Sequence, residues 1–369
     1  MKLKFNSIVA LFAILSACQI GRSVVHQTPG MNDYKIFPNR DLHANNQPFI
    51  FPKGRPMKAQ VPAALNIQGK EVPFEKFLKD NSTIGFLIIQ NDTVLFEKYF
   101  EGYDSSSIVP SFSMANCYTS ALIGCAIEDG LIGSVDDAVI NYIPELKKNG
   151  FEKVTIKHLL QMTSGLDFSE TSSDPMGEAA TFYYGKNLEH NTLHLTLKRE
   201  PGKVFDFTSG STQILGLILQ RVLKNENITH YFERRIWFPI ETEFDGSWSI
   251  DKNDGMEKTF CCINARARDY AKFGRLYLKN GNWNGKQIVP GKWVKESLTP
   301  DATNGGVNYF KYQWWLYEND ADHAFYAEGN LGQFIYVNPN KNLIIIRLGT
   351  AQGKVNWKEF FAKYAATVE

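Results

Sequence analysis

An uncharged stretch near the first third of the chain limits what it can fold into. Residues 110–127 carry no charged side chain and are rich in Ala, Leu and Ile. Such a run predicts a helix that is buried on most sides. Ser111 and Ser113 stand at its start, directly after Pro110. A serine there either caps the helix or acts as a nucleophile whose oxyanion the helix N-terminus stabilises.

The composition is that of an ordinary globular protein. The chain has 369 residues, of which 43% are hydrophobic, and its net charge is +1. This length fits two or three domains, and it fits one large α/β unit equally well. A net charge near zero gives no electrostatic reason to expect a nucleic-acid partner.

The first eighteen residues predict a targeting signal. Lys2 and Lys4 precede the apolar segment 8–15, which is too short to span a bilayer. The segment ends in Leu-Ser-Ala-Cys18, which resembles a bacterial lipobox. We therefore expect residues 1–18 to be a lipoprotein signal peptide, with the chain anchored through a lipid on Cys18 to a membrane of the bacterial cell envelope. That anchor would hold it on the periplasmic side or at the cell surface. An ordinary signal peptide cleaved elsewhere is the alternative.

The strand and helix patterns divide the remainder into two parts. Residues 19–80 are rich in proline and predict a tether and N-terminal extension, with one short helix near its end. Residues 81–369 predict the main domain. It opens with a β-hairpin over 84–100 and closes with four strands between 312 and 348 and a helix from Trp357. We expect an α+β fold of the broad α/β type: an antiparallel sheet built from both chain ends, flanked by helices, with a mostly helical insert.

The cysteines of this domain predict no metal site and no disulfide. Cys117 and Cys125 lie eight residues apart on the predicted helix, roughly 12 Å at the usual helical rise, which is too far to bridge. Adjacent cysteines such as Cys261 and Cys262 rarely pair. We expect all four to be small core residues, with a free thiol left open. Since no Cys/His spacing suits a metal, neither a metal nor a cofactor is expected.

Several stretches together resemble the penicillin-recognising serine hydrolases, which include class C β-lactamases, DD-peptidases and related esterases. The supporting stretches are 111–133, 155–167, 201–216, 265–282, 313–315 and 329–339. Their order and spacing match jointly over roughly residues 84–361. The resemblance implies a β-lactamase/transpeptidase-like fold for the main domain.

The family's chemistry needs a serine, a lysine one helical turn later and a tyrosine on a neighbouring loop. By this resemblance, Ser113 occupies the nucleophile position, Asn116 the lysine position and Phe207 the tyrosine position. A third element, Lys/His-x-Gly on an edge strand, matches at 330–332, with Asn330 in place of the cation.

The same resemblance implies the ligand contacts. Ser209, Asn330, Gly332 and Gln333 are expected to bind a small-molecule, ester or peptide-like ligand in the pocket. An asparagine side chain is neutral, and a phenylalanine lacks the tyrosine hydroxyl. Removing one member of a serine–base unit typically lowers kcat by about 10⁴- to 10⁶-fold. We expect weak or altered acyl transfer through Ser113. The alternative is an inactive pseudoenzyme that binds a peptide, glycan or protein partner.

Other nucleophile and metal candidates are weaker. Ser249 and Lys252 have the Ser-x-x-Lys spacing but lie in a polar turn, and His158 is expected to be structural. His190 and His194 are four residues apart, without an acidic third ligand. The chain has no Gly-x-Ser-x-Gly sequence, which excludes an α/β-hydrolase.

Overall fold

The computed structural model describes residues 21–22, 28–54, 61–67, 69–171, 174–318 and 320–368. The predicted signal peptide and Cys18 lie outside these residues. Among the helices of the described ranges, none combines the length and the apolar character that a membrane crossing requires.

Most strands lie towards the two ends of the described chain, and a run of helices lies between them. The strands are β1 (Asn39–Leu42), β2 (Ala64–Ile67), β3 (Lys70–Pro73), β4 (Thr83–Gln90), β5 (Thr93–Tyr99), β6 (Val109–Pro110), β7 (Gly246–Ser249), β8 (Ile263–Ala265), β9 (Asn282–Trp283), β10 (Lys286–Gln287), β11 (Phe310–Lys311), β12 (Trp314–Leu316), β13 (Phe325–Gly329), β14 (Gln333–Asn338) and β15 (Leu343–Gly349). The α-helices are α1 (Phe74–Asp80), α2 (Ala115–Glu128), α3 (Ile156–Leu160), α4 (Glu178–Tyr184), α5 (Leu188–Leu193), α6 (Ser209–Leu223), α7 (Ile228–Phe232), α8 (Ala267–Leu278), α9 (Gly291–Ser297) and α10 (Trp357–Thr367).

A seven-stranded antiparallel sheet forms the centre of the molecule. Its order is β11-β12-β13-β14-β15-β4-β5, so the first hairpin of the domain pairs with the last strand of the chain. Every residue of β4 is buried, because this strand has neighbours on both sides and helices over both faces. The predicted sheet assembled from both chain ends is confirmed, as is the hairpin β4–β5.

Alternate residues of these strands face two separate cores. Leu87 and Ile89 of β4 pack with α2, α6 and α8 in the larger core. Phe86 and Ile88 of the same strand pack with α1 and α10 in the smaller core. This alternation follows from the two-residue period of a strand, and it places helix α2 within the larger core.

The predicted buried helix is confirmed as α2, in which every residue from Ala115 to Ala126 is buried. The region after Ser134 forms 3₁₀ turns at Val139–Asn141 and Pro144–Asn149.

The N-terminal extension differs from the expected tether. Strand β1 pairs with β7 in a four-stranded sheet, in the order β1-β7-β8-β6. Phe37, Leu42 and Phe51 are buried in the larger core. In residues 28–54, a strand and buried side chains therefore stand where the sequence predicts a tether, while residues 64–67 and 70–80 form β2, β3 and α1. The apolar residues of this part are too widely spaced among prolines to give a periodic signal, although Phe37, Leu42 and Phe51 are buried in the folded chain.

Candidate active site

Ser113 lies in a 3₁₀ turn, Phe112–Met114, immediately before α2. Phe112 has a φ of 45°, a conformation that costs a non-glycine residue about 1–2 kcal/mol. Its ring is buried in the larger core, which fixes the turn. Ser113 itself is half-buried, and no side-chain hydrogen bond caps this turn or α2. The capping interpretation of Ser113 is therefore wrong.

Ser111, the other serine of this segment, has a structural role. Its hydroxyl is fully buried and accepts a hydrogen bond from the Ile263 backbone N–H at 3.1 Å. Its own backbone N–H donates to the Ile263 carbonyl at 2.7 Å. These bonds attach the serine turn to β8, so Ser113 alone of the two serines faces open space.

Two pockets meet at Ser113. The first, named here the Glu170 pocket, has a volume of ≈ 90 Å³ and is lined by Pro29, Phe112, Ser113, Glu170, Ala179, Ala180, Tyr183, Tyr184, Ser209, Phe260, Cys261 and Asn330. The second, named here the Trp315 pocket, has a volume of ≈ 270 Å³ and is lined by Ser113, Phe207, Trp315, Glu328, Gly329, Asn330, Leu331 and Gln352. Ser113 and Asn330 belong to both, so a ligand over the serine has room on two sides.

Neither residue at the expected proton-transfer positions can act as a base. Asn116 follows Ser113 by one helical turn and is 2% exposed, and its Oδ1 atom has no hydrogen-bond partner among the described residues. The Phe207 ring stacks on Trp315, with ring centroids 6.0 Å apart. The structure thus places a neutral amide and an aromatic ring at the positions that the family fills with Lys and Tyr.

The third element lies three residues away from the expected register. Asn330–Gly332 form a turn between β13 and β14, whereas the family's Lys/His-x-Gly lies on a strand. The glycine against the serine turn is Gly329, at the end of β13. A Cβ atom there would come within 2.3 Å of the Ser111 carbonyl oxygen. The strand position equivalent to Lys/His is therefore Ala327, which is buried and carries no charge.

Of the four expected ligand contacts, Ser209 and Asn330 line the pockets, and Gly332 and Gln333 do not. The Gln333 side chain is buried and exchanges two hydrogen bonds with the Gly349 backbone, at 2.7 and 3.0 Å. Gly332 lies against the guanidinium of Arg347. Both residues support the turn that carries Asn330 without reaching the ligand space.

Arg347 holds this turn from inside the sheet. It is fully buried and donates hydrogen bonds to the carbonyls of Leu331 at 3.2 Å and Gly332 at 2.5 Å. It also donates to the carbonyls of Asn81 and Ala351. Burial lowers the pKa of Arg347 to about 9. No sequence motif indicated this residue, because its partners are backbone atoms from distant parts of the chain.

Sequence reasoning also missed Glu170. Its carboxylate accepts a hydrogen bond from the Ser209 hydroxyl at 2.9 Å and another from the Ser209 backbone N–H. The residue as a whole is exposed, but protein atoms surround its carboxylate, and this burial raises the pKa of Glu170 above its ordinary range. Glu170 lies in a loop and Ser209 at the start of α6, far apart in the sequence, so no local spacing could have revealed their contact.

The cysteine prediction is half right. Cys261 and Cys262 form a disulfide, and Cys261 lines the Glu170 pocket. The expectation that these neighbours stay unpaired is wrong, since Cys262 adopts a φ of 75° in an irregular turn where the ordinary extended geometry does not apply. Cys117 and Cys125 are free and buried, as predicted. Burial raises the pKa of Cys125 to about 12, and it raises that of Cys117 also, so neither presents a thiolate.

The remaining candidates lie away from Ser113. His158 and Thr155 form a capping box at the start of α3, which confirms the structural role of this histidine. Ser249 is buried and donates a hydrogen bond to Asn39. The rings of His190 and His194 are 4.0 Å apart. Within the described ranges, no group of three or more His, Cys, Asp or Glu residues is arranged to hold a metal ion.

A serine-bearing turn before a buried helix, beside the end of an antiparallel strand, is the arrangement expected of β-lactamase-fold serine hydrolases. A sequence profile described as Beta-lactamase matches residues 74–359. The chain therefore belongs to the Beta-lactamase family, and its fold is β-lactamase/transpeptidase-like.

Proteins of two related kinds are similar to this chain. The 6-aminohexanoate-dimer hydrolase of Paenarthrobacter ureafaciens is 24% identical over 298 residues, which cover 75% of this chain and 74% of that protein. A Bacillus anthracis structure, provisionally described as a 6-aminohexanoate-dimer hydrolase, superposes with a TM-score of 0.79 at 24% identity, covering 91% of this chain and 92% of that one. A Bacillus halodurans penicillin-binding protein superposes with a TM-score of 0.64 at 16% identity, covering 79% of this chain and 99% of that one.

Proposed function

We propose that this protein transfers an acyl group from an ester or amide-like ligand to Ser113 and hydrolyses it slowly, by an altered mechanism. One observation carries the proposal: the half-buried Ser113 stands where two pockets meet. A carbonyl carbon over this hydroxyl would have one pocket for its acyl part and the other for its leaving group. The serine also precedes a long buried helix, whose N-terminal N–H groups favour developing negative charge.

The linings of the two pockets support a ligand with both apolar and polar parts. Trp315 and Phe207 give the Trp315 pocket an aromatic wall, while Glu170, Ser209 and Asn330 supply polar groups. The relatives are named for the hydrolysis of an amide dimer and for penicillin binding. These names support an ester or amide-like substrate class without selecting one compound.

Slow turnover follows from Asn116 and Phe207. Neither side chain can accept the Ser113 proton by the family's usual route. Within the described chain, no side chain hydrogen-bonds the Ser113 hydroxyl directly. Attack on a carbonyl therefore needs another proton acceptor, or it proceeds only with the residual help of binding and oxyanion stabilisation, about 10³-fold over water.

The test compares wild type with Ser113→Ala. A short-chain nitrophenyl ester and a chromogenic cephalosporin serve as substrates, and intact mass spectrometry detects an acyl adduct. We expect wild type to hydrolyse the ester faster than Ser113→Ala and to gain a serine-bound adduct that the variant lacks. Equal rates and no adduct would refute acyl transfer at Ser113.

A ligand-binding protein without turnover is the second candidate. The aromatic wall of Phe207 and Trp315 favours it, because this wall gives a ligand a surface to stack on that needs no proton transfer. A peptide or glycan fragment would then raise the melting temperature of wild type and of Ser113→Ala alike. Trp315→Ala, which removes the aromatic wall, should reduce that rise, and hydrolysis should be undetectable in all three proteins.

We further propose that the protein is a lipoprotein of the bacterial cell envelope, held to the membrane through Cys18. The lipobox-like sequence supports this location.

A further inference from the structure

The lining of the Ser113 site includes a carboxylate that could take the place of the family's proton acceptor. The ionisable side chains among the lining residues of the two pockets are Glu170, Glu328, Tyr183 and Tyr184. Glu328 is paired with Lys358 at 3.0 Å. Burial raises the pKa of both tyrosines, so they stay protonated at neutral pH. Glu170 is the remaining candidate for a proton acceptor.

The contact between Glu170 and Ser209 has the geometry of a relay. The Ser209 hydroxyl donates to Glu170 Oε2 at 2.9 Å, and both residues line the same pocket as Ser113. That pocket, with a volume of ≈ 90 Å³, is lined by both serines and has room for a water molecule. A second bond, from the Ser209 backbone N–H to the same carboxylate, fixes the orientation of the pair.

We propose that Glu170, acting through the Ser209 hydroxyl, accepts the Ser113 proton in place of the missing lysine and tyrosine. This inference rests on the proposed acyl transfer at Ser113. Glu170 is a positioning and proton-holding residue here, since it reaches the nucleophile only through Ser209 and one bridging water.

The proposed step is balanced in atoms and charge. Ser113 Oγ forms a bond to the ligand's carbonyl carbon while its O–H bond breaks. The proton passes to the bridging water, a water proton passes to Ser209 Oγ, and the Ser209 proton passes to Glu170 Oε2. The proton returns along the same chain to the leaving oxygen or nitrogen when the acyl bond breaks. A water molecule then attacks the acyl-serine by the same route, which releases the acid and restores Ser113.

The electrostatics of Glu170 suit this role. An efficient general base has a pKa near the working pH, and burial raises the pKa of this carboxylate towards that range. Nearby Asp206 acts in the same direction by charge repulsion. The competing explanation is that Glu170 only caps helix α6 at Ser209. A cap would affect stability but not the pH dependence of the reaction.

Glu170→Gln tests the relay, with Ser113→Ala as the blank and Glu178→Gln as the matched control. Glu178 is an exposed carboxylate that accepts a bond from the Ser169 backbone N–H and does not line either pocket. We expect Glu170→Gln to lower the Ser113-dependent kcat on the nitrophenyl ester by about 10²-fold or more, a typical general-base contribution. The wild-type loss of rate at acid pH should disappear in this variant, while Glu178→Gln keeps the wild-type rate and pH profile.

Ser209→Ala provides an independent test in case Glu170→Gln does not fold. It removes the hydroxyl link but keeps the Ser209 backbone bond to Glu170, and we expect a similar fall in kcat with an unchanged melting temperature. If Ser113→Ala is inactive but Glu170→Gln keeps the wild-type kcat and pH profile, the relay is refuted and the acyl transfer stands. The relay would also be refuted if Glu170→Gln raised only KM, and only for esters that carry an amine. Glu170 would then be a substrate-binding group. If Ser113→Ala matches wild type, the acyl transfer itself fails.

Discussion

Ser113 and Asn116 show how far single residues can be interpreted from the sequence. The position of Ser113 before a buried helix followed from the uncharged run and the motif order. The structure was needed to show that Ser113 is accessible and that the amide of Asn116 beside it is buried. Glu170 had no local signal at all, because its partner Ser209 is 39 residues further along the chain. A contact between a loop residue and the first residue of a distant helix leaves no periodicity in the sequence.

At the same scale, the double variant Asn116→Lys with Phe207→Tyr tests whether the pocket still accepts the family's proton-transfer groups. We expect the Ser113-dependent hydrolysis of the nitrophenyl ester to rise at least tenfold over wild type, because an amine one turn from Ser113 can take its proton. Steady-state rates measure the gain, and circular dichroism confirms folding.

The triple variant that adds Ser113→Ala is the control and should lose the gain. A folded double variant with the wild-type rate would mean that the pocket itself no longer positions a substrate. The stack of Phe207 on Trp315 would explain that outcome. A tyrosine ring at position 207 would keep the present orientation of the Phe207 ring, and its hydroxyl would then not be free to turn towards Ser113.

Secondary structure elements were predicted well wherever periodicity was strong. The hairpin β4–β5, helix α2 and the strands β13 to β15 have the expected order, because each carries a regular apolar pattern. The resemblance to the family predicts an edge strand at Asn330–Gly332, where the structure has a turn. Only the folded structure shows that the glycine beside the serine turn is Gly329. Strand β1 escaped prediction because a short strand with a single buried residue has no visible period.

Helix α4 forms one wall of the Glu170 pocket and is held by a buried lysine. Lys258 is fully buried, and its Nζ donates to the carbonyls of Phe182 at 3.2 Å and Tyr183 at 2.8 Å. Both carbonyls belong to the last turn of α4, where a positive charge is favourable. Burial nevertheless lowers the pKa of Lys258 to about 7.

This lowered pKa predicts how stability depends on pH. Between pH 7 and pH 9 the unfolded chain keeps a proton on Lys258 that the folded chain has lost, so stability rises with pH through this group. Relative to Lys258→Met, wild type should gain about 1 kcal/mol in the free energy of unfolding per pH unit across this range. Urea denaturation at pH 7, 8 and 9 measures the difference. The exposed neighbour Lys252, changed to Met, is the control and should follow wild type; parallel curves for Lys258→Met would contradict the prediction.

At the scale of the whole molecule, the N-terminal extension connects the predicted anchor to the site. Pro29 lines the Glu170 pocket, and the Met31 sulfur lies 3.6 Å from the Gln333 amide. The chain then continues into β1 and the larger core. Pro29 is the eleventh residue after Cys18, so a fully extended chain would span about 40 Å between the two residues.

A lipid on Cys18 would therefore keep the Glu170 pocket within about 40 Å of a membrane surface. Cys18→Ala, expressed as the full chain in a bacterial host, should move from the membrane fraction to the soluble fraction of the envelope. It should also lose incorporation of labelled fatty acid. Ser23→Ala is the nearby control and should remain in the membrane fraction. Because the site belongs to the folded domain and not to the anchor, any ester hydrolysis should persist in soluble Cys18→Ala. A Cys18→Ala protein that stays membrane-bound and labelled would show that another segment carries the anchor.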